Sequence, residues 1–185
     1  MIHPPAEQAA EWFAVRVKSN FERAVASAAR GKAFEEFVPF WQTRRRWSDR
    51  DKSIDVPLFP GYIFCRFQRD HRLPLLMIPG VLHIVGIGKI PVPIDDTEIA
   101  AIQTAVQSGL PFEPRPYLEL GERVVVQRGP LAGVEGILVE QRKNYRLVVS
   151  ITLLKRSVAV GIESDWVASM DKRGSSRTIV AAQDC

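Results

Sequence analysis

Hydrophobic and polar positions first alternate at residues 12–17, Trp-Phe-Ala-Val-Arg-Val. Phe13, Val15 and Val17 share one side, and this two-residue period predicts a strand. A helical period follows at once. Phe21, Ala24, Val25, Ala28 and Ala29 recur as one apolar stripe, and Ser19 with Glu22 matches a capping box with Ser19 at the N-cap. Gly31 stops this helix, with Arg30 and Lys32 near its negative end. Arg23, Ser27 and Arg30 line the opposite face. Further strands are predicted near residues 37–40, in a charged hairpin built from 44–47 and 53–56, at 62–67 and at 80–86. Residues 73–78 read as one or two helical turns despite Pro74. A second helix spans about 96–108, with Asp95 as cap, Glu98 three residues on, Ile94 and Ile99 as a staple, and Ile99, Ile102 and Val106 as its buried stripe.

The pattern changes after Gly109. Pro111, Pro114 and Pro116 forbid a helix interior, so residues 110–119 are expected to be a semi-rigid linker. Short β runs follow at 122–127, 134–140, 145–153, 158–160 and 162–167, and five strands at this spacing predict a small barrel. Leu147, Val149, Ile151 and Leu153 share one face. Between residues 134 and 160 nine positions are β-branched, which favours this barrel over a helical hairpin. The polar tail from Asp171 is expected to be disordered. The fold class is therefore α+β: an antiparallel sheet flanked by helices over residues 10–109, the linker over 110–119, a five-stranded β barrel over 120–168, and a tail over 169–185.

Composition narrows the function. At 185 residues and 46% apolar, the chain has material for one medium domain or two small ones. The net charge is +4, and residues before and after position 110 each contribute +2 (14 basic against 12 acidic, then 11 against 9). Any basic patch must therefore come from local placement. No run approaches a membrane span, and the first residues lack the basic start and apolar core of a signal peptide, so a reducing cytoplasm is expected. Cys65 and Cys185, with His3, His71 and His83, offer neither a disulfide framework nor a metal cluster. Asp95, Asp96 and Glu98 sit where a helix start favours negative charge. Gly86-Ile87-Gly88-Lys89 lacks the spacing of a phosphate loop. No enzyme activity, cofactor or metal is expected.

Three strings invite a binding role. Residues 44–52 hold five basic and two acidic residues around Trp47, a solvated hairpin or a phosphate contact. Phe59-Pro60-Gly61-Tyr62 is a tight turn delivering Tyr62 to a strand start, and a phenol there suits an interface with one dry and one wet end. Gly129-Pro130-Leu131-Ala132-Gly133-Val134-Glu135-Gly136 places Leu131 at a turn tip, where it either folds back or meets another protein.

These strings carry a family likeness. Trp12-Phe13-Ala14-Val15, the first helix, Phe59-Pro60-Gly61-Tyr62-Ile63-Phe64, Gly80-Val81 and the second helix resemble the N-terminal domain of the NusG family. Residues 121–136 resemble a KOW motif, and 137–167 continue like the rest of a KOW barrel. The resemblance implies a transcription elongation factor that binds the clamp helices of the largest subunit of bacterial RNA polymerase, suppresses pausing or termination, and acts as a monomer. It implies polymerase contact at Arg16, Phe59, Tyr62 and Phe64. It implies nucleic-acid contact, the non-template DNA strand included, at Lys18 and Arg23; Arg30, on the same helical stripe as Arg23, and Arg44, Arg45 and Arg46 of the charged hairpin are further candidates by their placement. It implies that the KOW domain, at Leu131 and Val134, recruits Rho or a small-subunit ribosomal protein. The short stretch between Phe40 and Phe59 resembles specialised RfaH/UpxY-like paralogues more than housekeeping NusG. A KOW-type RNA-binding protein of ribosomal or RNA-processing kind is the alternative, and it should concentrate basic charge on the barrel.

Overall fold

The computed structural model describes residues 9–47, 50–116, 121–141, 144–170 and 176–178. The alternating segment forms β1 (Glu11–Val17). After it come α1 (Glu22–Gly31), β2 (Glu35–Phe37), the hairpin β3 (Phe40–Trp47) and β4 (Arg50–Pro57), β5 (Tyr62–Phe67), α2 (Leu73–Leu76), β6 (Val81–Ile84), the small hairpin β7 (Gly86–Ile87) and β8 (Ile90–Pro91), and α3 (Asp96–Gln107). Four strands make one antiparallel sheet in the order β2-β5-β1-β6. On one face of it Phe13, Val15 and Val17 join Ile63, Cys65 and Phe67, and Val25 and Ala29 of α1 close the cluster with Leu75 and Ile78. Full burial of each large member contributes about 1.5–3 kcal/mol, so this cluster is what fastens α1 to the sheet.

The start of α1 differs from the capping-box expectation. Phe21, not Ser19, is the N-cap residue, and it makes no side-chain cap bond. Asn20 adopts φ 66°, which turns the chain between β1 and the helix. The buried stripe is Glu22, Val25, Ala26 and Ala29, while Phe21, Ala24 and Ala28 face outward. A helical period fixes the spacing of a stripe but not its phase when alanines occupy both sides, and packing against β1 and β5 decides the phase.

The chain divides into two compact units, Met1–Asp96 and Thr97–Cys185. Apart from its first residue, α3 thus falls with the second unit, where the sequence pattern grouped it with the first. Glu98 on its first turn accepts hydrogen bonds from the Thr152 hydroxyl (2.6 Å) and amide (3.2 Å). Ile99, Ile102 and Ala105 are its buried residues.

The second unit is a seven-stranded antiparallel sheet rather than five strands after a spacer. Its strands are β9 (Phe112–Pro116), β10 (Glu122–Val126), β11 (Glu135–Gln141), β12 (Asn144–Ile151), β13 (Arg156–Ile162), β14 (Val167–Met170) and β15 (Ser176–Thr178). The order is β15-β14-β10-β11-β12-β13-β9. The expected linker holds β9, which pairs with β13 and lies at the edge of the sheet. The Gly161 amide donates to the Pro111 carbonyl, so by alternation the nitrogens of Pro114 and Pro116 face away from β13. Proline is tolerated at that parity on an edge strand, where it also blunts further pairing. β15 pairs with β14 inside the expected tail, while 171–175 and 179–185 lie outside the described residues, as do 117–120 of the expected linker. Leu147, Val149 and Ile151 are buried on one face as their period predicts, whereas Leu153 sits in the short 3-10 turn Thr152–Leu154.

Candidate functional site

Phe59-Pro60-Gly61-Tyr62 forms the turn that leads into β5. The Tyr62 amide donates to the Phe59 carbonyl at 3.0 Å, and Gly61 has φ 79°. Proline in the second place and a positive-φ glycine in the third are what a type II turn requires. Both peptide groups of Gly61 are held from outside the turn. Its N–H donates to Glu22 Oε1 at 2.8 Å, and its carbonyl accepts the Val17 amide at 2.9 Å. Glu22, read from sequence as half of a capping box, is thus a buried carboxylate that clamps this turn.

Arg16 and Tyr62 are direct neighbours across β1 and β5, and His83 of β6 sits beside Arg16 on the same face. The Arg16 guanidinium lies over the Tyr62 ring, 4.6 Å from its centroid. A β-carbon on Gly61 would lie 2.6 Å from Arg16 Nη1, so the missing side chain is what admits the guanidinium. Phe64, two residues along β5 on the same face, meets Phe59 edge-on at 5.2 Å and Phe37 at 6.1 Å. The four residues singled out from sequence therefore come together, in two roles. Arg16 and Tyr62 are half-buried and present a surface, whereas Phe59 and Phe64, expected as contacts too, are buried (2% and 0% exposed) and support that face from the core rather than meeting a partner. A stacked cation–phenol pair on a rigid aromatic floor can bind another protein through apolar area and a polar tip.

The basic candidates divide. Lys18 is exposed, and its amide is tied to the Gly80 carbonyl at 2.8 Å. Arg23 is paired with Asp55 at 3.1 Å and stacks over Phe40 at 3.9 Å from the centroid. Arg30 forms an ion pair with Glu36. Arg44, Arg45 and Arg46 pair along β3 and β4 with Ser53, Lys52 and Asp51, and their side chains lie outside the described residues.

The two residues of the second unit do not stand where a partner could grip them. Leu131 is fully buried and Val134 is 8% exposed. The turn folds back because the Gly133 amide donates to the Val126 carbonyl and the Val134 amide to the Leu131 carbonyl. Gly129, at φ 82°, lies against the Trp166 ring, which a β-carbon would strike at 2.7 Å. A glycine-flanked apolar residue at a turn reads alike in sequence whether it is a plug or a probe.

The Arg16–Tyr62 face and the basic candidates both lie on the first unit, and a unit of α3 and a seven-stranded sheet follows it. The family model described as transcription termination factor nusG matches residues 10–103. The transcription termination/antitermination protein NusG of Vibrio vulnificus is 30% identical over 174 residues, covering 86% of this chain and 96% of that protein. NusG of Escherichia coli strain K12 is 30% identical over 176 residues, covering 84% and 94%. The solved structure describing domain interaction in Thermotoga maritima NusG is similar at 20% identity and a TM-score of 0.46, covering 85% of this chain and 96% of that one. The chain belongs to the NusG family of transcription termination/antitermination factors.

Proposed function

We propose that this protein is a cytoplasmic transcription elongation factor that docks on bacterial RNA polymerase through the Arg16–Tyr62 face and suppresses pausing or termination. The observation that carries this is the rigid presentation of Tyr62: a type II turn pinned at both peptide groups, an aromatic floor, and a guanidinium laid across the ring. Such a preorganised surface pays little ordering entropy on association. The clamp helices of the largest subunit are the partner that the family likeness implies for it. Lys18, with Arg23 and Arg30 once released from Asp55 and Glu36, forms the strip for the non-template strand; the Arg23–Asp55 pair is exposed on both sides and weak enough for a phosphate to displace, whereas the Glu36 carboxylate is largely buried and holds Arg30 more firmly. Rho or a small-subunit ribosomal protein is the proposed partner of the KOW unit, met through its exposed turn surface rather than through Leu131 or Val134. The short β3–β4 hairpin supports a specialised, operon-directed paralogue.

The test is polymerase pull-down and pause-escape with the full chain and its Tyr62→Ala variant. Truncating an anchor aromatic should weaken binding by about 1–3 kcal/mol. A folded variant that binds and acts like the wild type excludes this face.

A further inference from the structure

Glu22 is one of two polar or charged residues buried among the described residues, at 4% exposure. A buried carboxylate is costly unless something fixed satisfies it. Its position in the first turn of α1 supplies part of that, since the helix start favours negative charge. Its hydrogen bond, however, does not go to the helix. It reaches 39 residues along the chain to the Gly61 amide. Gly61 is the residue whose bare α-carbon admits the Arg16 guanidinium, and its neighbour is Tyr62. A turn of this type leaves the amide of its third residue free of the turn's own hydrogen bond, so without an external acceptor the Pro60–Gly61 peptide plane can rotate. Rotation there would turn the Gly61 α-carbon, against which the Arg16 guanidinium is seated, while the Gly61 carbonyl and the Tyr62 amide stay held.

We infer that Glu22 is a positioning residue for the docking face: its carboxylate fixes the Pro60–Gly61 peptide plane and through it the Gly61 α-carbon that seats the Arg16 guanidinium over Tyr62. This rests on the docking role proposed above. It gives Glu22 a function that a helix cap or a core residue would not have, because only the acceptor matters. A leucine of similar size keeps the packing and removes the acceptor, and a glutamine keeps both. Glu22→Leu leaves the buried Gly61 amide without an acceptor and should lower stability as well as affinity, so the comparison with Glu22→Gln, which keeps the acceptor, is what isolates the hydrogen bond.

The experiment measures polymerase affinity, thermal stability and the Gly61 amide proton shift in the full chain and in Glu22→Gln, Glu22→Leu, Gly61→Ala and Tyr62→Ala. Glu22→Leu should lose about tenfold in affinity with its Gly61 amide proton moved upfield, while Glu22→Gln stays within about threefold, the difference one buried hydrogen-bond partner makes. Gly61→Ala should match the loss, and combining it with Glu22→Leu should add little because both act on one element. If Glu22→Leu does not fold, Glu22→Met, which also lacks the acceptor, takes its place with the same expectation. Wild-type affinity in a folded Glu22→Leu, alongside a defective Tyr62→Ala, overturns the role of Glu22 and leaves the docking face standing. Wild-type affinity in Tyr62→Ala overturns the face itself, and the inference with it.

Discussion

Arg23 is held twice, by Asp55 at 3.1 Å and by the face of Phe40 at 3.9 Å. Both partners belong to the β3–β4 hairpin, and both sides of the ion pair are about half exposed or more (63% and 48%). An exposed pair contributes about 0–1 kcal/mol, and a cation–aromatic contact at such a site about 0.5–1 kcal/mol. Asp55→Asn therefore removes little stability, under about 1 kcal/mol, while the Phe40 ring still holds Arg23 in place. The freed guanidinium becomes available to a phosphate. Affinity of the protein for single-stranded DNA should rise because no ion pair has to break first, and Arg23→Ala should flatten the slope of log K against log salt by about 0.7, the value for one lost contact on a single strand. Asp165→Asn is the control. It changes net charge equally and removes the carboxylate paired with Arg128 at 3.3 Å in the second unit, where Arg128 keeps its hydrogen bond to the Asp165 carbonyl. Fluorescence anisotropy across a salt series reads both numbers. The gain should vanish in the Arg23→Ala/Asp55→Asn double variant. An unchanged affinity in Asp55→Asn, an unchanged slope in Arg23→Ala, or an equal gain in Asp165→Asn refutes a nucleic-acid role for Arg23.

Leu131→Ala should cost about 2–5 kcal/mol in urea unfolding, as deletion of a fully buried leucine does; a change below about 0.5 kcal/mol would mean that the side chain is not part of the core. The Cys65 thiol is pushed up to about 12 by burial first and by the charge of Glu36 second. Peptide mapping after alkylation near pH 8.5 should therefore find Cys65 unmodified in the folded protein and modified after denaturation, and equal rates in both would contradict it. Because the folded value lies above the ordinary 9.0, this group's contribution to stability is complete below about pH 9 and falls as pH rises toward 12. Cys65→Ala should flatten that part of the pH–stability curve.

Strands were the most legible elements because their period is local. Phe13, Val15 and Val17 could be assigned to a core face from spacing alone, and so could Leu147, Val149 and Ile151. Glu22 was not legible in this way. The Ser-x-x-Glu string fits a capping box, and nothing in the sequence reports that residue 61 will offer its amide from across the fold. Pro114 and Pro116 fit a spacer by composition, which does not say which nitrogens face a partner strand; their alternation is the signal that fits an edge strand. Of the docking face, the turn and Tyr62 were visible as a string, whereas Arg16 entered through the family likeness. Its stacking on Tyr62 depends on the β1–β5 register, which neither strand specifies by itself. The pairing of Arg23 with Asp55 likewise needed the hairpin to be seen beside α1.

The most direct test of the account is a photocrosslink from position 62. A benzophenone amino acid replacing Tyr62 in the full chain, irradiated with transcribing RNA polymerase, should attach to the largest subunit at its clamp helices. The yield should fall when unlabelled wild-type protein competes. Crosslinks to no polymerase subunit, or a yield that the competitor leaves unchanged, would contradict the docking face.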